Sequence, residues 1–291
     1  MPELAEVERS RRLWEVGRGE KVLEVILRNR KSRIFRSINP EELVRSLTGQ
    51  RLSDSEALGK QMVFRFGNRG QFWLGLHLGM TGELRVEKPR YSLLKYDHLI
   101  LRQSKRSLVF SDPRQFGRVR FAQSEVTPSW WAKLPPSILS NQFKRSVIAE
   151  FCRRRKGSPL KALLLMQERF PGIGNWMADE ILWRARLNPK TRAGALVERE
   201  ITSLYRATRS VSAKAIEVMD KNWQFPRTWL FAHRWEDGGK CPRCHTGLMR
   251  DVVGGRRTCW CPKCQPANAG LADRVLPASL SVAATVLLER R

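Results

Sequence analysis

The sequence predicts an α+β protein: an N-terminal helix on an antiparallel β-sandwich, then a helix–two-turns–helix domain, then a small cysteine-rich β-hairpin. Three observations carry this. Apolar residues recur at helical spacing at the start, alternate with period two from 21 to 121, and return to helical spacing up to about 222. The period-two region is cut into short runs by turn residues, which favours a sandwich. Two Cys-x-x-Cys knuckles stand near the C-terminus. The expected division is 1–122 for helix and sandwich, 123–136 for a linker with Pro128, Pro135 and Pro136, 137–237 for the helical domain, 238–265 for the cysteine module and 266–291 for a tail.

In the first helix Leu4, Val7 and Trp14 form the apolar stripe, Arg9, Ser10, Arg11 and Arg12 the polar side, and Gly17 and Gly19 the end. Residues 61–66, 72–78, 98–101, 107–110 and 118–121 read as strands. Residues 161–166 start a buried helix, 170–175 form a glycine-rich turn, and 176–183 start the next helix. Within the tail, 280–288 fits one short helix.

The first residues have a chemistry of their own. Removal of Met1 would leave the secondary amine of Pro2 as the N-terminus, and an α-amine has a reference pKa near 7.7–8.0 against about 10.4 for lysine. Glu3 and Glu6, three apart, share a helix face beside that amine. Amine and carboxylates together make a nucleophile with acid–base partners. The plainer reading is an acidic helix start after a proline.

Lys and Arg outnumber Asp and Glu 54 to 28, for a net charge of +26 spread along all 291 residues. A basic folded surface points to nucleic acid. No 18-residue apolar run and no secretory signal are visible, so neither a membrane span nor secretion is expected. Four of the six cysteines, Cys241, Cys244, Cys261 and Cys264, have the spacing of one tetrahedral structural zinc site. Such a site suits a reducing compartment, hence a cytoplasmic protein, nucleoid-associated if bacterial. Cys259 reads as hairpin packing and Cys152 as a buried small residue.

The start Met-Pro-Glu-Leu-x-Glu-Val-Glu resembles that of the formamidopyrimidine-DNA glycosylase and endonuclease VIII family, nearer the formamidopyrimidine branch. Further motifs follow in the family's order: Gly59-Lys60, His77-Leu78-Gly79-Met80-Thr81-Gly82, Asp112-Pro113-Arg114-Gln115-Phe116-Gly117, Gly172-Ile173-Gly174-Asn175 before Ala-Asp-Glu, and Arg256-x-Thr258 inside the finger. The resemblance covers about residues 2–265. It implies a bifunctional glycosylase and abasic-site lyase of base excision repair, acting as a monomer on double-stranded DNA with a damaged base or abasic site. Pro2 would be the nucleophile, Glu3 the proton-transfer group, Glu6 its orienting partner and Lys60 an active-site helper. Lys60, His77, Lys161, Asn175 and Arg256 would contact DNA, while Met80, Arg114 and Phe116 would fill the hole left by the flipped base. The cofactor implied is one structural Zn2+. The turn at 172–175 is also an anion site on its own terms, with N–H groups free at a helix N-terminus.

Ala5 stands where the family usually has a second proline, and Gln115 where it usually has an arginine. Residues 220–231, rich in aromatics, stand where members acting on oxidised purines carry a long glycine-containing loop; they read as packing, so the excised lesion stays open. Two other readings compete: a non-catalytic DNA-lesion or DNA-structure binder on the same scaffold, and a basic zinc-ribbon transcription or ribosome-associated protein. The second explains the charge and the cysteines but not the N-terminus or the loops.

Overall fold

A computed structural model describes residues 1–221, 224–235 and 237–267. The first helix, α1 (Leu4–Glu15), belongs to two hydrophobic cores at once. Leu4 and Ala5 pack into the helical domain, whereas Val7 and Trp14 pack into the sandwich. Trp14 stacks at a tilt on Phe64, centroids 4.9 Å apart, and its Nε1 donates to the Arg85 carbonyl at 3.2 Å. A buried indole so satisfied anchors the C-terminal half of α1.

The sandwich comprises β1 (Glu24–Leu27), β2 (Leu52–Leu58), β3 (Gln61–Phe66), β4 (Phe72–His77), β5 (Glu83–Glu87), β6 (Asp97–Arg102), β7 (Ser107–Ser111) and β8 (Arg118–Gln123). They form two antiparallel sheets, β1-β6-β7-β5 and β2-β3-β4-β8. Period two does not hold throughout 21–121, because α2 (Pro40–Leu47) interrupts it. The signals for α2 were local: Asn39 Oδ1 accepts from Glu41 N and Glu42 N, Pro40 fills the first turn, and Leu43 and Leu47 are buried four apart. Strands β1, β2 and β5 also went unread; β2 and β5 alternate charged residues with small or apolar ones and resemble loops.

Residues 123–136 are not free chain. The single turn α3 (Ser129–Ala132) sets Trp131 into a small core with Val63 and Trp73 on the sandwich. Beyond it come α4 (Arg145–Arg154), α5 (Leu160–Leu164), α6 (Asn175–Ala185) and α7 (Glu198–Lys221). The hairpin β9 (Met249–Val253) and β10 (Arg256–Trp260) closes on Gly254 and Gly255, at φ +59° and +74°. That is a two-residue turn needing positive φ at both positions. Arg256, Arg257 and Thr258 therefore stand on β10 and not in the turn where the sequence put them. A Cβ on Gly254 would come 2.6 Å from Ala162 Cβ, so the hairpin tip sits against α5. The expected helix at 280–288 lies outside the described residues. Among the described residues no helix is long and apolar enough to cross a membrane.

Candidate active site and nucleic-acid interface

The glycine-rich turn at 170–175 does present an anion site, but a residue of the chain itself fills it. Glu3 Oε2 accepts from Gly174 N at 3.0 Å and Met177 N at 3.1 Å, and Glu3 Oε1 accepts from Trp176 N at 3.0 Å. The N-terminus of α6 thus holds the carboxylate that precedes α1. The fit demands glycine: a Cβ on Gly174 would lie 2.3 Å from Glu3 Cδ. Gly172, at φ +89°, gives its carbonyl to Leu4 N at 3.0 Å. Gln167 braces the turn, donating to the Leu165 and Ile173 carbonyls and accepting from Gly172 N. Glu6 Oε2 accepts from Glu3 N at 3.1 Å, and Glu6 Oε1 accepts from the Trp176 indole at 3.0 Å.

These contacts set the chain end into a cleft of about 900 Å3, lined by Met1, Glu3, Glu6, Lys60, His77, Met80, Asn175 and Arg256. The cleft brings together seven of the eleven catalytic and DNA-contact residues named from sequence; Pro2, Arg114, Phe116 and Lys161 are not among its lining residues. Trp176, Phe231, Arg234, Trp235 and Arg257 line it as well and were not anticipated. Trp176 directly follows Asn175, which was the available signal; Trp235 carried none. Lys60 reaches the cleft from the two-residue turn between β2 and β3, whose Gly59 sits at φ +63° against Pro171.

Burial raises the Glu3 carboxyl to about 7, with the Glu6 carboxylate adding to the rise; the N–H groups of Trp176 and Met177 and the Lys60 ammonium oppose it. Burial also raises Glu6. Lys60 is lowered, first by burial and then by Arg256, against the pull of Glu3 and Glu6. His77 falls to about 4 through burial and the charges of Lys60, Arg118 and Arg120. It is neutral near pH 7, and its Nδ1 accepts from Gly79 N at 3.0 Å, leaving Nε2 as the donor. The site therefore offers acid–base groups poised near neutrality beside cations, the combination proton transfer needs.

Asp112, fully buried, ties the loop bearing Met80 to the loop bearing Arg114 and Phe116. It accepts from Thr81 Oγ1 at 2.8 Å, Arg114 N at 3.2 Å and Gly117 N at 2.7 Å. Met80 and Phe116 stay 39% and 47% exposed, too open for core residues. Phe116 carries the guanidinium of Arg33 at 4.4 Å and that of Arg114 at 4.9 Å. Arg33 also clamps the loop through the Gln115 and Arg114 carbonyls. Gln115, at φ +54°, turns inward onto Ser32. Phe116 lines a smaller recess with His77, Arg118 and Arg120, next to the cleft. Arg114 is exposed and lines neither.

Lys161 departs from expectation. It is fully buried, its Nζ donating to Asp179 Oδ1 at 2.5 Å and to the Asn175 carbonyl at 2.6 Å, and it does not line the cleft. It supports Asn175 from below, while Asn175 itself lines the cleft with an enclosed Oδ1 that bonds to no protein group. Asp179 Oδ2 also takes Arg234 Nη2 at 2.5 Å and Cys259 N at 3.2 Å, joining α5, α6 and β10. Cys259 is indeed hairpin packing, 3% exposed.

The Sγ atoms of Cys241, Cys244, Cys261 and Cys264 lie within 4.8 Å of one another. A tetrahedral ion with metal–sulfur bonds of about 2.3 Å needs sulfurs about 3.8 Å apart. The 3.5 Å between Cys244 and Cys261 and the 3.9 Å between Cys241 and Cys264 bracket that distance. The four-cysteine cluster can hold a metal ion, and the Trp183 indole, 3.3 Å from Cys241 Sγ, supplies an outer hydrogen bond.

Residues 1–119 match the formamidopyrimidine-DNA glycosylase N-terminal domain, and residues 134–226 match that family's H2TH domain. The formamidopyrimidine-DNA glycosylase of Thermus thermophilus is 36% identical over 282 residues, 91% of this chain and 98% of its own. That of Chloroflexus aurantiacus is 33% identical over 238 residues, 78% and 84% of the two chains. A Lactococcus lactis enzyme of that name in complex with DNA containing an abasic site superposes with TM-score 0.79 at 27% identity, covering 91% of this chain and all of that one. MutM bound to DNA with carbocyclic 8-oxo-G gives 0.81 at 28% identity, with the same coverage.

The Glu3 carboxyl yields a prediction with a definite sign. Its folded value of about 7 lies above the ordinary 4.5, so between those pH values the folded state binds a proton that the unfolded state does not. Stability from this group is fully present below about pH 4.5 and is lost as pH rises through about 7. In Glu3→Gln this component is absent. Thermal unfolding from pH 5 to 8 will show a shallower decline in midpoint for Glu3→Gln than for the wild type. Parallel curves would contradict the assignment.

Proposed function

The chain belongs to the formamidopyrimidine-DNA glycosylase family, and on that premise we propose that it is a bifunctional DNA glycosylase and abasic-site lyase of base excision repair. The observation that carries the mechanism is the convergence of the chain end, Glu3, Glu6, Lys60 and Arg256 on one cleft. With Met1 removed, the Pro2 nitrogen attacks the sugar carbon bearing the damaged base. The bond from Pro2 N to that carbon forms as the glycosidic bond breaks, and the base leaves with its electron pair and takes up a proton. The Pro2 nitrogen gives up its proton, and Glu3 transfers a proton to the ring oxygen as the sugar ring opens, leaving an iminium ion that carries no N–H. The iminium ion acidifies the neighbouring carbon: loss of a C2′ proton expels the 3′ phosphate by β-elimination, and loss of the C4′ proton then expels the 5′ phosphate by δ-elimination. Glu6 orients the amine, and Lys60 neutralises phosphate and the carboxylate pair.

Duplex DNA is the proposed partner and a monomer the proposed working form. Lys60, His77, Asn175 and Arg256 position the backbone, and Met80, Arg114 and Phe116 occupy the vacated stack. Lys161 acts beneath Asn175. One Zn2+ on the four cysteines is structural: it would fix β10, and with it Arg256, and takes no part in the chemistry. Thiolate ligation of zinc suits a reducing cytoplasm, at the nucleoid in a bacterium.

Two outcomes test this. Protein lacking Met1 will cut duplex DNA at an abasic site and leave phosphate at both ends of the gap. Pro2→Gly will cut at least a hundredfold more slowly, the scale set by losing a covalent catalyst. Equal cutting by both proteins would remove Pro2 from the mechanism. Stripping the metal with a strong chelator will weaken binding to abasic duplex at least tenfold, and added zinc will restore it. Undiminished binding by metal-free protein would show that the finger needs no ion.

A further inference from the structure

Trp235 is among the most exposed large apolar side chains described, at 58%, and it lines the same cleft as Glu3 and Glu6. A single exposed aromatic is ordinary on a protein surface. This one is built into a wall. Its ring meets Phe231 edge-on at 5.3 Å and 82°; Phe231 meets Trp176 at 4.9 Å and 74°; the Trp176 indole donates to Glu6 at 3.0 Å. Aromatic rings thus run in edge-on contact from the indole bonded to Glu6 to the exposed Trp235, all lining one cleft.

The wall is also pinned. The Arg234 guanidinium lies 4.6 Å from the Trp235 ring centroid, and Asp179 holds Arg234 through Nε and Nη2. Phe231 N donates to Glu180 Oε2 at 3.1 Å, which fixes the backbone. Arg234 is 8% exposed, so its charge is committed to Asp179 and the ring. A planar apolar face held rigid and left bare inside a cationic cleft suits a planar heteroaromatic ring.

We propose that Trp235, backed by Phe231 and Arg234, is a stacking wall that holds the expelled nucleobase by its face. This rests on the glycosylase reading and adds to it the element that recognises the base. Every nucleobase presents a π-face, so such a wall accepts purine and pyrimidine lesions alike. It gives nothing to an abasic site, which has no ring to stack. Trp235 is therefore a specificity determinant separating base-bearing lesions from abasic sites.

The test compares duplexes of one sequence carrying a single oxidised purine, a single oxidised pyrimidine or an abasic site. For each protein the readout is the ratio of base-release rate to abasic strand-cutting rate. Trp235→Ala, and Trp235→Leu, which keeps apolar bulk without the face, will lower that ratio about tenfold on both lesions. Trp235→Phe will stay within about threefold of wild type. Thermal unfolding identifies which variants are folded, and one folded Ala or Leu variant suffices. An unchanged ratio in such a variant overturns the proposal. So does a wild-type protein that cuts abasic DNA yet releases neither base. A wild-type protein that cuts no abasic DNA defeats instead the enzyme reading on which the proposal rests.

Discussion

The whole arrangement depends on one carboxylate bound by three amides. Glu3, just before α1, takes the N–H groups of Gly174, Trp176 and Met177 at the start of α6. These three hydrogen bonds join the sandwich unit to the helical unit across 171 residues or more of sequence. They also fix the terminus, because Pro2 is the next residue outward. A helix N-terminus favours an ionised partner, whereas burial disfavours it; here burial prevails, and the carboxyl rests near neutrality. The contact that holds the two units together is thus also a carboxyl poised to exchange a proton near neutral pH.

Buried aspartates repeat the device at the edges of the cleft. Asp112 joins the Met80 loop to the Phe116 loop, and Asp179 joins α5, α6, Arg234 and β10. Buried ion pairs add little net stability, since desolvation offsets the Coulomb gain, but removing one partner is costly. Their worth here is geometric. They hold the exposed Met80 and Phe116 side chains, the strand bearing Arg256 and the aromatic wall at the cleft and the recess beside it. Burial, with neighbouring positive charge behind it, lowers both Lys60 and His77 in that cleft.

Much of this was legible in the sequence for local reasons. Cysteine spacing, glycine turns and the Met-Pro-Glu start are short-range signals, and the residues they marked meet in space. Three things were not legible, for one shared reason: they depend on partners distant in the chain. Lys161 has the spacing of a phosphate ligand, but Asp179 draws it into the core. The 172–175 turn has the amides of a phosphate cradle, but Glu3 takes them first. Trp235 follows the aromatic run and carries no local signal, and only the folded chain sets it beside Phe231 and leaves it bare. The missed α2 is different, since its Asn39–Pro40 cap was in plain view and was passed over for the longer-range alternation.

The account stands or falls on which nitrogen reaches the sugar. The direct measurement is borohydride reduction of the protein on abasic duplex DNA, followed by intact-mass analysis and peptide mapping of the adduct. One adduct per chain, on a peptide that begins at Pro2 with Met1 gone, is the predicted result. An adduct on Lys60, or none on fully processed protein, would contradict it.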